Sequence, residues 1–269
     1  MTSVDSPLVM GILNTTPDSF SDGGAHASVE AAAAHARRMI AEGTDWIDIG
    51  GESTRPGAAP VPPEEELRRV VPAVQAIRAF SDVPISVDTS KASVAAAALA
   101  AGADVVNDVT ALGDPDMARV VRDAGAGVVL MHGRGTPQTM DSLADYGAEG
   151  VAATIARELL LRVVTALAAG IAREAICLDP GFGFAKTSEQ NEELLRDLGR
   201  IAKLGWPLLV GVSRKRFVAA RMAARGEGVD PPAVRDAESA AIAAQAVHLG
   251  AHIVRVHNVA ETRRALCTP

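Results

Sequence analysis

The sequence predicts an α/β protein folded as a single-domain (β/α)8 TIM barrel, and three observations carry that prediction. Apolar runs of strand length, rich in Val, Ile and Leu, alternate with longer stretches of helical spacing about eight times along 269 residues. A Gly, often followed by Ala, recurs where a helical stretch gives way to an apolar run: GTDWIDIG from Gly43, GADVVNDV from Gly102, GAGVVLMH from Gly125 and GAHIVRVH from Gly250. That Gly supplies the left-handed position that closes a helix before a parallel strand. No Pro/Ser tract, charge block or low-complexity run divides the chain, so residues 1–269 are expected to form one domain with its core over 8–266. A doubly wound open sheet is the alternative, and it would bind its ligand at a switch point instead of a common mouth.

Taken in order, strands are expected near 8–14, 46–51, 85–90, 105–110, 128–132, 175–180, 207–213 and 253–258. Helical spacing fills 27–42, 64–80, 91–101, 115–124, 148–169, 189–204 and 234–249, with Ser90 and Ser188 as N-caps and an extra turn after Lys215. Aromatic residues make up only 3% of the chain, which suits Ala-rich helices around a Val/Ile/Leu sheet and not an all-β sandwich. A net charge of −7 argues against a dedicated nucleic-acid or anionic-membrane binder, whose affinity needs a large positive surface. Cys177 lies in an apolar run and Cys267 at the C-terminus, so neither a disulfide framework nor a cysteine zinc site is expected. With no secretory leader and no apolar run near the ~18 residues a membrane span requires, a cytoplasmic protein is expected.

A barrel should concentrate useful side chains after the apolar part of each strand. Strand by strand these are Asn14; Glu52, Ser53, Thr54 and Arg55; Asp88; Asn107 and Asp108; His132; Asp179; Ser213, Arg214 and Lys215; and Arg255 with His257. Asn107 and Asp108 are consecutive and point to opposite sides of their strand; Asn107 is favoured for the pocket because it shares its offset from the junction Gly with Arg255. Arg255 and His257 share a face inside an apolar strand, and a bound anion is the expected partner of that pair. Two long loops, NTTPDSFSDGG from Asn14 and GESTRPGAAP from Gly51, exceed the ~2 to 6 residues usual between strand and helix and are expected to be movable covers. In DPGFGFAKT, Phe182 and Phe184 are expected to be exposed on a loop, facing a flat ligand or a closing lid.

The chemistry of this set is specific before any likeness is considered. Asp179 with Asp88 or Asn107 suits the guanidine-like edge of a polar heterocycle, because carboxylates accept from ring N–H and amino groups and an amide both donates and accepts. Lys215, Arg255, His257, Arg55 and Asn14 suit phosphate oxygens, and the Asn14 carbonyl can ligate a hard cation such as Mg²⁺. HExxH, Walker A, GxGxxG and GxSxG are all absent. The residues therefore point to a heterocycle that bears a diphosphate leaving group, displaced with cation assistance.

Eight ordered stretches resemble the pterin-binding dihydropteroate synthase family: GILNTTPDSFSDGG, IDIGGESTRPGA, ISVDTSKA, VVNDV, VLMHGRGTPQTM, LDPGFGFAKT, LLVGVSRKRF and VRVHNV. The resemblance spans Val9 to Val259. It implies the condensation of 6-hydroxymethyl-7,8-dihydropterin diphosphate with 4-aminobenzoate to 7,8-dihydropteroate and diphosphate, on the folate route that sulfonamides block, with Mg²⁺ and a homodimer. By motif it assigns Asp88, Asn107, Met131, Asp179, Lys215 and Arg255 to the pterin. Asn14, Arg55, Ser213, Arg255 and His257 fall to the diphosphate, with Asn14 also to the metal, and Thr54, Pro56, Phe184 and Lys215 to 4-aminobenzoate. Lys215, Arg255, His257 and Arg55 are the catalytic set so implied. Thr15, Gly133, Arg216 and Asn258 depart from the family's common pattern, and Arg216 bears most directly on the 4-aminobenzoate side. Two other readings share the pterin pocket: a catalytically silent pterin-binding paralogue, and a pterin-dependent methyltransferase, which has no use for the SRK, RVH and STRP cations.

Overall fold

The computed structural model describes residues 6–16 and 24–267. Eight parallel strands, β1 (Leu8–Asn14), β2 (Trp46–Gly50), β3 (Ile85–Asp88), β4 (Val105–Asp108), β5 (Gly127–Met131), β6 (Ile176–Asp179), β7 (Leu209–Val210) and β8 (Ile253–Val256), run in the order β6-β5-β4-β3-β2-β1-β8-β7. A parallel bridge between Leu178 and Leu208 joins the two ends, so the sheet is a barrel and not an open doubly wound sheet. The helices around it are α1 (Gly24–Ala41), α2 (Pro63–Arg78), α3 (Ala92–Ala100), α4 (Met117–Ala124), α5 (Val151–Ala168), α6 (Ser188–Arg196), α7 (Gly199–Ala202), α8 (Arg216–Ala223), α9 (Asp236–His248) and α10 (Val259–Leu266).

All four junction glycines have the positive φ their role requires: 89° at Gly43, 113° at Gly102, 63° at Gly125 and 107° at Gly250. Outward-facing strand residues such as Ile47, Ile49, Val87, Val106 and Leu130 are wholly buried in the cluster shared with the helices. Each such side chain contributes about 2 kcal/mol of burial. The inward residues Met10, Val105, Val129, Cys177, Leu209 and Ile253 form a second, smaller cluster that plugs the barrel below its mouth.

Several local expectations are corrected. Ser90 does not cap α3, whose N-cap is Lys91; Asp114 Oδ2 instead accepts the Ala92 N–H at 3.0 Å. Ser188 is the first helical residue of α6, and the cap is Thr187, which forms a capping box with Gln190. The stretch 189–204 is two helices, broken between Arg196 and Gly199. What looked like one extra turn after Lys215 is the eight-residue α8, and α10 was not anticipated. β7 pairs over two residues only, because beyond Val210 the chain turns its polar groups into the mouth.

Candidate active site

Side chains alternate across a strand, so the inward parity that includes Met10 and Val105 also includes Asn14, Asp48, Asp88, Asn107, Met131, Asp179, Gly211, Ser213, Arg255 and His257. Register then sets neighbours side by side: Asn14 with Gly50, Gly50 with Asp88, Asp88 with Asn107, and Met131 with Asp179. These polar groups lie above the apolar plug, at the C-terminal ends of the strands. The mouth is a cavity of about 950 Å³. Asn14, Thr54, Arg55, Pro56, Asp88, Phe184, Ser213, Lys215, Arg255 and His257 all line it. Asn107 and Asp179 are buried outside its lining, and Met131 lines instead a smaller cavity between β5 and α5.

The floor is a charge network centred on Arg255, whose Nε donates to Asp48 Oδ2 at 2.5 Å and whose Nη2 donates to Asp88 Oδ2 at 2.6 Å. Asn107 Nδ2 donates to the same Asp48 oxygen at 3.2 Å. The expectation that Arg255 needs a bound anion is therefore corrected, since two carboxylates of the barrel already neutralise it. Asp48 was missed in the sequence; an acid at inward parity in an apolar strand was the available signal. Oδ1 of Asp88 and Oδ1 of Asp48 are buried acceptors with no protein donor. Burial pushes the Asp88 carboxyl well above its ordinary range, with Arg255 opposing. Burial also raises Asp179, against Lys215 and the Gly181 N–H that donates to its Oδ1 at 2.7 Å. A donor-rich edge placed over these acids would satisfy acceptors the protein leaves open.

The rim is cationic. Burial lowers the Lys215 amine to about 8; it donates to the Phe182 carbonyl and lies 4.7 Å from the Phe184 ring centre. His257 is pushed down to about 3 by burial and then by Arg214, Arg255 and Arg55, so its ring is neutral at neutral pH. Ser213 Oγ accepts the His257 backbone N–H at 3.2 Å and lies 2.9 Å from its Nδ1. A Ser213 O–H donated to Nδ1 leaves the proton on Nε2, as a donor for an anion. Arg214 also lines the mouth, where it pairs with Asp236 at 2.6 Å. Arg216, on the rim, pairs with exposed Asp141 at 2.6 Å.

Three further strand-end expectations change. His132 faces outward and bonds Glu158 of α5 through Nε2 at 2.8 Å. Phe182 is wholly buried against Phe217, so only Phe184 meets the pocket. In the loop after β2, Glu52 accepts the Val61 N–H at 2.8 Å, Gly57 N–H donates to the Pro137 carbonyl at 2.8 Å, and Gln138 donates to the Ala58 carbonyl. This cover is docked on the loop after β5. Of the cover that begins at Asn14, residues 17–23 lie outside the described residues.

A family profile described as pterin binding enzyme matches residues 10–257. A dihydropteroate synthase of Synechocystis is 47% identical over 262 residues, 96% of this chain and 87% of the relative. A Xanthomonas albilineans dihydropteroate synthase with 4-aminobenzoic acid superposes with a TM-score of 0.89 at 46% identity, covering 98% of this chain and 95% of the other. The same enzyme in complex with 7,8-dihydropteroate gives 0.86 at 43% identity, with 98% and 95% covered.

Proposed function

The chain belongs to the pterin-binding enzyme family, and from that premise we propose how the groups at the barrel mouth divide the work of a dihydropteroate synthase. The activity is the condensation of 6-hydroxymethyl-7,8-dihydropterin diphosphate with 4-aminobenzoate, giving 7,8-dihydropteroate and diphosphate. The observation that carries the division is the layering of one pocket, with buried acids and an amide below and a cationic rim above.

Asp88, Asn107 and Asp179 bind the polar edge of the pterin; the open Oδ1 of Asp88 supports this. Met131 lines that edge, and Arg255, fixed by two carboxylates, lies against the ring face. Arg55, Asn14, Ser213, Arg255 and His257 receive the diphosphate. The C–O bond of the pterin methylene breaks with its electron pair leaving on diphosphate, and the aniline nitrogen then forms the C–N bond and sheds a proton. Arg55 and Lys215 lower the barrier with positive charge at the leaving group, neutral His257 with an N–H donated to it, and Arg255 with a guanidinium that Asp48 and Asp88 hold fixed, which is preorganised electrostatics more than proton transfer. Thr54, Pro56, Phe184 and Lys215 seat 4-aminobenzoate.

Mg²⁺ fits Asn14. Among the described residues no cluster of three or more His, Cys, Asp or Glu could cage a metal. A single amide oxygen beside phosphate oxygens and water matches the habit of this ion, which supplies charge neutralisation when bound. Homodimerisation belongs to the same proposal, supported by the exposed apolar residues Leu160, Leu161, Val164 and Leu167 on α5. A cytoplasmic location is supported by two free cysteines; among the described residues no helix is long and apolar enough to cross a membrane.

The experiment incubates purified protein with the pterin diphosphate, 4-aminobenzoate and Mg²⁺ and follows dihydropteroate and diphosphate. Equal release of both is expected. Folded protein that binds pterin without turnover would instead indicate the silent paralogue.

A further inference from the structure

The loop that follows Asp179, between β6 and α6, carries Phe184 to the pocket, yet its backbone groups have no strand partner. Side chains replace the ladder. Tyr146 Oη donates to the Ala185 carbonyl at 3.1 Å, Asn191 Oδ1 accepts the Gly183 N–H at 2.7 Å, and Lys215 takes the Phe182 carbonyl. The carbonyls of Gly181 and Phe184 both go to one group, the Nζ of Lys186, at 2.8 and 2.9 Å.

We propose that Lys186 is a positioning residue for pterin recognition: its buried Nζ, held between the Gly181 and Phe184 carbonyls and His132 Nδ1, fixes the loop whose Gly181 N–H holds the Asp179 side chain and whose Phe184 lines the pocket. The inference rests on the synthase reading of that pocket. Lys186 is only 6% exposed, and its third partner, His132 Nδ1, lies at 3.2 Å. Three acceptors thus surround one Nζ, an atom that can supply up to three N–H donors.

The acceptor state of His132 is itself secured. Glu158 accepts from Nε2, and Arg134 Nη2 binds Glu158 Oε1 at 2.6 Å. These partners hold Glu158 down at about 2, while burial lowers His132 to about 4. A neutral ring protonated on Nε2 leaves the Nδ1 lone pair for Lys186. On the loop side, Gly181 links the ammonium to the substrate acid, because its carbonyl takes Lys186 while its N–H serves Asp179. Gly181 has φ of 69°, and a Cβ there would strike the His132 carbonyl; Ala185 holds a φ of 49° that side chains rarely adopt. Such a conformation costs of the order of 1 kcal/mol and persists only where the surroundings impose it. Burial lowers the Lys186 amine well below its ordinary value; of the charged groups facing it, Asp179 and Glu158 oppose that shift, and Lys215 and Arg134 add to it. Against the burial that raises Asp179, Lys186 acts in the same direction as Lys215, the Gly181 N–H and Arg255.

The test compares wild type with Lys186→Met by thermal unfolding, by 6-hydroxymethylpterin fluorescence titration across pH, and by titration with inorganic diphosphate. A folded Lys186→Met variant is expected to lose at least tenfold in pterin affinity, to keep its diphosphate affinity, and to lose pterin at a higher pH on the acid side, since Asp179 then protonates more readily. Lys186→Gln, which retains donors for the two loop carbonyls, is expected to fall between the two and serves if Lys186→Met does not fold. Wild-type pterin affinity with an unmoved acid limb in either folded variant would overturn the inference alone. Wild-type protein that binds no pterin would overturn it together with the synthase reading.

Discussion

Asp88 and Asp108 end neighbouring strands, and both are buried carboxylates, yet their surroundings differ completely. Asp108 faces outward and is fully engaged: Oδ1 accepts from the Thr110 N–H at 2.8 Å and Oγ1 at 2.6 Å, and Oδ2 accepts from the Leu112 N–H at 2.7 Å. Those bonds hold Ala111 and Leu112 at positive φ. Asp88 faces inward, shares one oxygen with Arg255 and leaves the other without a donor. The same contrast separates outward His132 from inward His257. An outward polar group at a strand end finds its partners in the helices and loops, whereas an inward one is left for a ligand.

The largest expected effect tests the inward set. Asp179→Ala should lower pterin affinity about a hundredfold or more, since charged hydrogen bonds to the ring are lost at ~1.5–3 kcal/mol each. Calorimetric titration checks this, and wild-type affinity would break the comparison. Asp108→Ala probes the outward set: it should cost about 2 kcal/mol of stability by orphaning buried N–H groups, with kcat/KM retained in the folded protein. A catalytic defect larger than the stability defect would show that parity does not sort function from structure. His257→Ala should weaken diphosphate roughly tenfold and leave a pterin without diphosphate unaffected, because one hydrogen bond of ~1.4 kcal/mol is removed. Equal losses for both ligands would contradict the layering.

Smaller effects sharpen the rim. Burial lowers Lys215 to about 8, so its charge fades as pH rises through that value. A rate that needs the ammonium should then fall roughly threefold between about pH 7.5 and about 8.5, and Lys215→Arg should abolish that limb. The least change is expected from Arg216→Ala, whose pairing with Asp141 is exposed on both sides. Stability should move by less than about 0.5 kcal/mol, and any effect should appear in the KM for 4-aminobenzoate.

Much of this was legible along the chain. The junction glycines marked the starts of β2, β4, β5 and β8, since a positive φ is a local demand that Gly meets. Period 2 put Asn107 in the barrel and Asp108 outside it, as the structure has them. Helix starts were less legible: Ser188 and Ser90 have capping side chains, but Thr187 forms the capping box with Gln190, and at α3 the Ala92 N–H goes to Asp114, 22 residues away. His132 reads as a strand-end residue like the others, and only its odd position relative to Met131 betrays that it faces α5.

By itself the sequence determined the alternating plan and the presence of acids, an amide and cations at the strand ends, because those follow from periodicity and side-chain chemistry. Tertiary structure alone decided the partners. Asp48 and Arg255 stand 207 residues apart and meet only when the barrel closes. Lys186 finds His132 across 54 residues, and Phe182 is buried by Phe217 instead of facing solvent. Pairing of buried charge is set by distances of a few ångströms between strands, and no spacing along one chain encodes them before the sheet is wound.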